Sequence, residues 1–154
     1  MGIFSSIEQF GEKFTKPVNL ALGMFDGVHL GHQQVLSASQ DHARDINGVS
    51  VAFTFPLHPA SFLRPESAPP LLMNAEQKAR MLHSYGMDHV ILRDFDDELA
   101  HVSSSDFGVF FEGKNSFGGR FKRRPEFQVW KGQGRRFILS SRCGWKNGYA
   151  CPSG

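Results

Sequence analysis

The chain has few of the residues and segments that mark secreted or membrane proteins. It contains two cysteines, Cys143 and Cys151, in 154 residues, too few for a disulfide framework or a zinc site. No apolar run approaches the roughly twenty residues that span a bilayer, and no signal-peptide pattern opens the sequence. We therefore expect a cytoplasmic protein that does not bind membranes. The length is that of about one domain with a sizeable core.

Charge is distributed unevenly along the chain. Residues 1–107 hold seven Lys and Arg against thirteen Asp and Glu, whereas residues 108–154 hold ten against two. A basic segment rich in glycine and aromatic residues is typical of a nucleic-acid-binding arm. That is the weakest of our functional hypotheses, because a different explanation, given below, accounts for the composition. We expect no nucleic-acid partner.

Apolar patterns predict an α/β fold. The runs Val18–Met24 and Val49–Phe55 are typical of buried strands, and Gln33–Arg44 between them has helical periodicity. Two strands joined by a crossover helix form a βαβ unit, so a parallel sheet follows. Further predicted elements are a short helix or arm over residues 1–16, an irregular loop with five prolines over 56–70, a helix over Ala75–Tyr85 capped by Asn74, and a strand over His89–Leu92. An acidic loop over Asp94–Glu98 either attracts Mg²⁺ or is a solvated turn.

Two histidines, His29 and His32, follow the first predicted strand with Gly31 between them. If a helix begins near Leu30, both imidazoles fall on its first turn and can face one ligand. Helix N-termini favour anions, and imidazole donates hydrogen bonds to phosphate oxygens. The alternatives are a helix cap with solvated histidines, or half of a metal site.

The segment Gly23–His32, Gly-Met-Phe-Asp-Gly-Val-His-Leu-Gly-His, resembles the nucleotide-binding signature of the bacterial FAD synthetase family. These proteins form the adenylyltransferase module of bifunctional riboflavin kinase/FMN adenylyltransferases. Thr54–Pro59 resembles the family's Thr-Phe-x-Pro-His-Pro segment, with Pro56 and Leu57 transposed, and Leu72–Lys78 resembles its Leu-Thr-x-x-Glu-Lys helix. The resemblance covers roughly residues 7–107. It implies a Rossmann-like parallel sheet of the nucleotidyltransferase superfamily, incomplete at its C-terminal end.

The resemblance also implies a reaction and its residues. The family transfers AMP from ATP to FMN, giving FAD and pyrophosphate, so ATP and FMN are the expected partners, FMN being a substrate, with Mg²⁺ accompanying ATP and no obligate protein partner. The implied site consists of His29 and His32 as catalytic residues, Gly23, Phe25, Asp26 and Gly31 as nucleotide-binding residues, and His58 and Pro59 on the side of the flavin phosphate, without a metal held by the protein. From the residues alone, His58 is more simply a loop histidine bonded to backbone.

Two other functions stay open. The chain can be a catalytically inactive, truncated nucleotide-binding fragment of such an enzyme. It can also be another nucleotidyltransferase, for example one that acts on a pantetheine or nicotinate phosphate.

The family pattern ends after Phe107, where a Gly-x-Asn/Asp-Phe-x-Phe-Gly segment is expected later in the chain. Shifting the reading frame of Arg123–Leu139 by one base permits codons for Val-Gly-Pro-Asn-Phe-Arg-Phe-Gly, which contains that segment. Some steps are forced by the genetic code, since Trp130 followed by Lys131 gives glycine in the shifted frame. We therefore predict a partial FAD synthetase-like domain over 1–107 and, over 108–154, an atypical basic tail that is a disordered frameshift product.

The gene sequence tests the frameshift. We expect the DNA around codons 100–120 to contain a one-base insertion or deletion, after which the shifted frame encodes the family segment. Sequencing that region in the source genome is the measurement. Bases that do not permit the shifted frame would remove the hypothesis.

Overall fold

The structure is a computed structural model that describes residues 2–14, 16–102, 127–131 and 135–139. It is an α/β fold built on one sheet, which confirms the predicted class. The six strands are β1 (Gly2–Phe4), β2 (Val18–Leu22), β3 (Val49–Thr54), β4 (His89–Leu92), β5 (Phe127–Lys131) and β6 (Arg135–Leu139). Their spatial order is β1-β4-β3-β2-β5-β6; all neighbours are parallel except β6, which is antiparallel to β5.

Five α-helices lie within the described residues: α1 (Ile7–Gly11), α2 (Leu30–Asp45), α3 (Pro59–Leu63), α4 (Ala75–Ser84) and α5 (Asp97–His101), with a short 3₁₀ helix over Pro65–Ser67. None of the helices in this part of the chain is both long and apolar enough to cross a membrane. Helix α4 begins with a full capping box, in which Asn74 and Gln77 bond each other's backbone N–H groups.

The strands β2, β3 and β4 are buried on both faces because their alternate residues enter different cores. On one face, Leu20, Val51 and Phe53 pack with α1, α5 and the aromatic residues near the N-terminus. On the other, the small side chains of Ala21 and Ala52 pack with residues of α2 and α4. Side chains this short allow the two helices to lie close to the sheet.

The register of the strands places three of their carboxyl ends together. Leu22 of β2 lies opposite Phe53 of β3, and Thr54 lies opposite Leu92 of β4. In open parallel sheets, ligands bind outside the carboxyl ends of the strands. The loops that leave β2 and β3 at this edge, together with the first turns of the helices that follow them, carry all eight residues expected in the site.

Two local predictions were wrong and a third was incomplete. Residues 1–16, expected to form a short helix or arm, contain α1, but residues 2–4 before it are a strand, because they pair in parallel with β4, a contact 87 residues away that no local pattern encodes. The proline-rich segment 56–70 contains α3 and a 3₁₀ helix, because Pro59 and Pro65 occupy first-turn positions, where the missing N–H costs nothing. The acidic segment is largely the start of α5, with Asp96 as its N-cap.

Two strands lie within the segment 108–154, for which we expected disorder. β5 pairs in parallel with β2, and β6 pairs with β5. Both are rich in β-branched and aromatic residues, which favour strands. The other residues of this segment lie outside the described residues. The boundary at residue 107 and the frameshift therefore stay predictions.

Replacing Gly48 with alanine should destabilise the sheet. A Cβ atom at this position would lie 2.3 Å from the carbonyl oxygen of Pro17, the oxygen that accepts the first hydrogen bond of β3 from Val49. Relieving such a contact requires the backbone to move, at a cost of about 1–3 kcal/mol. Thermal and urea unfolding measure the loss. The control is Ser37→Ala on the exposed face of α2, which should change stability by less than about 0.5 kcal/mol; equal stability of the two variants would contradict the predicted clash.

Candidate active site

The loop between β2 and α2 has unusual backbone geometry. Phe25, Gly27 and Val28 all have positive φ angles, of 46°, 78° and 39°. Glycine adopts such angles readily, but a β-branched valine does so only under strain. Strained backbone persists only where the surrounding structure compensates for it, and it clusters at binding sites. Both Phe25 and Val28 are almost fully buried, so their packing holds this loop in place.

The loop delivers the chain to the amino end of α2, where His29 is the N-cap. Its Nδ1 atom accepts a hydrogen bond from the backbone N–H of His32, at a long 3.4 Å. Because Nδ1 is an acceptor, neutral His29 carries its proton on Nε2. The Nε2–H group is thus a donor on an exposed side chain, beside a helix end whose first N–H groups lack intrahelical partners. Capping and anion binding are compatible roles for this residue.

The two imidazoles are stacked. The ring centroids of His29 and His32 lie 3.7 Å apart with an angle of 20° between the planes. The ring of His32 also meets the edge of Phe25 at 5.3 Å, and its buried Nδ1 atom has no hydrogen-bond partner among the described residues. The two rings are therefore close enough to face one ligand, and their role toward a ligand stays a prediction.

Burial lowers the pKa of His32, the charge of His29 lowers it further, and Asp26 partly offsets both effects. Two stacked imidazoles cannot both become cations without repulsion. The lowered pKa favours the neutral ring of His32, whose buried Nδ1 atom, without a partner among the described residues, can exchange hydrogen bonds with a ligand.

The two outer glycines accommodate aromatic rings. A Cβ atom on Gly23 would lie 3.0 Å from the ring of Phe25, and one on Gly31 would lie 3.3 Å from the ring of His29. The ring of Phe25 belongs to the core, so only the backbone of this residue is placed to meet a nucleotide. Part of the space above Gly31, a residue that we predict to bind the nucleotide, is next to the imidazole of His29.

Asp26 is directed toward another loop. Its two carboxylate oxygens accept hydrogen bonds from the backbone N–H groups of Leu72 and Met73, at 2.9 and 3.1 Å. These two residues directly precede Asn74, the cap of α4. Asp26 therefore ties the start of α4 to the loop after β2, in addition to the nucleotide-binding role that we predict for it.

His58 and Pro59 lie beyond the carboxyl end of β3, the neighbour of β2. The Nδ1 atom of His58 accepts a hydrogen bond from the N–H of Ala60 at 3.0 Å, so His58 caps α3 as His29 caps α2. Pro59 is the first residue of that helix. The structure brings this pair to the same sheet edge as the histidine stack, and their role toward the flavin phosphate stays a prediction.

Two residues that we did not assign to the site connect its segments. The hydroxyl of Thr54 donates to the carbonyl of Met24 at 2.9 Å, and the ammonium of Lys78 donates to the carbonyl of Phe55 at 2.7 Å. A signal for Lys78 was present, since it lies four residues before Leu82 on the apolar face of α4. A lysine on that face has to be buried or to displace the helix.

Within the described residues, no group of three or more His, Cys, Asp or Glu side chains could hold a metal ion. The site therefore consists of helix N-termini, imidazoles and backbone N–H groups at the carboxyl edge of a parallel sheet. Together, this fold and this edge define an α/β protein of the class that binds phosphate-bearing ligands at the carboxyl ends of its strands. A sequence model of the FAD synthetase family matches residues 11–110, and the chain belongs to that family. Members of this family are nucleotidyltransferases.

Individual relatives agree with this assignment. A bifunctional riboflavin kinase/FMN adenylyltransferase of Buchnera aphidicola is 30% identical over 88 residues, which are 57% of this chain and 28% of the relative. An FAD synthetase of Listeria monocytogenes is 31% identical over 62% of this chain and 39% of its own length. The corresponding bifunctional protein of Escherichia coli is 27% identical over 134 residues, 87% of this chain and 43% of its own.

These matches differ in extent. The family model ends near the limit that the motifs predict, whereas 134 residues cannot fit within residues 1–107, so the Escherichia coli alignment includes part of the segment 108–154. The chain spans less than half the length of these three relatives. A solved structure titled as a macrolide-efflux protein from Streptococcus pneumoniae has a TM-score of 0.59 and 24% identity, covering 68% of this chain and 36% of its own; this likeness shows the fold alone.

Replacing His32 with asparagine should reduce the pH dependence of stability. In the unfolded chain a histidine titrates at about pH 6.5, whereas burial lowers the pKa of His32 in the folded chain. Protonation below that pH therefore favours unfolding, so stability is complete above it and is lost as the pH falls. Between about pH 8 and about pH 5.5, the variant should lose less stability, by at most about 1.4 kcal/mol per pH unit.

Urea unfolding at the two pH values is the measurement. Some pH dependence should remain in the variant, because burial also lowers the pKa of His89. Identical pH dependence in the wild type and the variant would show that His32 is not held neutral by the fold.

Proposed function

We propose that the chain is an FMN adenylyltransferase, a transferase that moves AMP from ATP to FMN in FAD biosynthesis. The observation that carries the proposal is the stacked pair of His29 and His32 at the amino end of α2. Membership of the FAD synthetase family supports the substrates, as do the names of the relatives. We place the reaction in the cytoplasm, where ATP and FMN are available.

In this reaction, an oxygen of the FMN phosphate attacks the α-phosphorus of ATP. The new P–O bond forms as the bond between the α-phosphorus and the bridging oxygen breaks, and pyrophosphate leaves with the electron pair. Both reactants are anions, so catalysis consists of positioning and charge stabilisation. We propose that the reacting phosphates form hydrogen bonds with the Nε2–H of His29 and with the ring of His32. The buried Nδ1 atom of His32 has no partner among the described residues.

The remaining residues position the substrates. We propose that the backbone of Gly23, Phe25 and Gly31 meets the nucleotide and that His58 and Pro59 meet the flavin phosphate. Mg²⁺ would arrive with the triphosphate and lower its charge, since this ion usually binds substrate phosphates and water rather than an all-protein site.

The test is FAD formation by the purified chain from FMN, ATP and Mg²⁺, followed by chromatography. We expect FAD above background and a loss of about 10²- to 10³-fold in kcat for His29→Ala, the cost of removing one donor to developing charge. The matched control is His83→Ala, an exposed histidine in the last turn of α4, which should retain activity.

A folded chain that makes no FAD would favour the alternative, an inactive nucleotide-binding fragment. The same assay with nicotinate mononucleotide or phosphopantetheine in place of FMN distinguishes a nucleotidyltransferase of other specificity. A product from either compound, without FAD, would replace our substrate assignment.

A further inference from the structure

Lys78 is a charged residue in a buried position. Its side chain is 0% exposed, between α4 and the sheet, and its ammonium donates to the carbonyl of Phe55 at 2.7 Å. Burial lowers the pKa of Lys78, and the charge of Asp26 raises it. Burying an ammonium is costly, and apolar residues of similar size are often as good for stability or better. Stability alone therefore explains this lysine poorly.

The hydrogen bond from Lys78 to Phe55 lies where the backbone leaves β3. Phe55 directly follows β3, and His58 comes three residues later. Thr54, the residue before Phe55, is bonded through its hydroxyl to the carbonyl of Met24 in the loop after β2. The carbonyl of Phe55 is thus an anchor between the last sheet residue and the segment that carries His58.

The second charged group, Asp26, anchors a different segment. Its carboxylate holds the N–H groups of Leu72 and Met73, just before the helix that bears Lys78. Lys78 interacts electrostatically with this carboxylate. The pair therefore connects the loop after β2, the segment after β3 and the start of α4.

We propose that Lys78 is a positioning residue that holds the His58 segment in place relative to the loop bearing His29 and His32. This inference rests on the proposed function, in which the two loops bind the two substrates. Lys78 itself is inaccessible and acts through the carbonyl of Phe55. In reactions that depend on positioning, a misplacement of about 1 Å can cost about 100-fold in rate.

Lys78→Met is the direct test, because methionine is apolar, unbranched and of similar length. We expect a folded protein in which the KM for FMN rises by about tenfold or more, while the KM for ATP changes little. A merely structural role would lower the fraction of active protein and change the two KM values alike. The matched control is Arg80→Met, which removes an exposed cation from the same helix and should change neither KM.

A second measurement does not require activity. The N–H of Ser61 donates to the carbonyl of His58, and that of Arg64 donates to Ala60. In Lys78→Met, pulsed hydrogen exchange on the millisecond-to-second scale should be at least about tenfold faster across residues 56–64, and unchanged in Arg80→Met. If the wild type forms no FAD, this measurement still decides the positioning role, so failure of the proposed function is distinguishable.

The results divide as follows. A selective rise in the KM for FMN, or faster exchange confined to residues 56–64, supports the proposal. Unchanged exchange together with unchanged or equally shifted KM values overturns it. If Lys78→Met does not fold, Asp26→Asn is the substitute variant. Faster hydrogen exchange at Leu72 and Met73 that extends to residues 56–64 supports the proposed connection between the segments. Faster exchange confined to Leu72 and Met73 overturns it.

Discussion

The site depends on a left-handed stretch of backbone between β2 and α2. The chain leaves a strand that is buried on both faces and has to begin a 16-residue helix after only seven intervening residues. Positive φ angles at Phe25, Gly27 and Val28 make this turn possible. The strain at Val28 is tolerated because its side chain and that of Phe25 are buried in the core beneath α2 and α4. Core packing thus fixes where His29 caps the helix and where His32 follows.

The second loop of the site depends on the first. The carbonyl of Met24 accepts the hydroxyl of Thr54, and Asp26 accepts the N–H groups of Leu72 and Met73. A change in the backbone at Phe25 would therefore move not only the histidine pair but also the exit of β3 and the start of α4. This explains how segments from two sheet connections, β2–β3 and β3–β4, are held together in one site.

Much of this arrangement could be predicted from the sequence, and its limits have physical causes. Strands β2, β3 and β4 and helices α2 and α4 have long apolar patterns that local reasoning detects. β1 has three residues, and its pairing with β4 is a non-local contact that leaves no periodicity. The five prolines between residues 56 and 70 correctly indicate a break after β3, but the same residue type is favourable in the first turn of a helix, and that role prevailed at Pro59 and Pro65.

The candidate site, too, could be predicted only in part from the sequence. The spacing of His29 and His32 predicts that they share one helical turn, but the ring stack, the cap bond and the tautomer depend on the strained loop. Likewise, the sequence places Asp26 in the signature without indicating that both of its oxygens hold another loop. The burial of Lys78 was detectable in principle, since it lies on the apolar face of α4, yet hydrophobic patterning alone treats a lysine as a surface residue.

The electrostatics of the site follow from where its charges lie. Burial and the neighbouring ring lower the pKa of His32, which favours its neutral form, so in the proposed reaction a phosphate meets donors whose attraction is short-ranged and directional. Lys78 lies beneath the loops, where burial lowers its pKa, the charge of Asp26 raises it, and the ammonium donates to the carbonyl of Phe55. In the role that we propose, this cation fixes the backbone segment that carries His58 and does not contact the phosphates. In a reaction between two anions, donors placed at the reacting phosphorus stabilise the charge that develops there more than the charge already present on the substrates. Keeping the cation away from the phosphates preserves this difference.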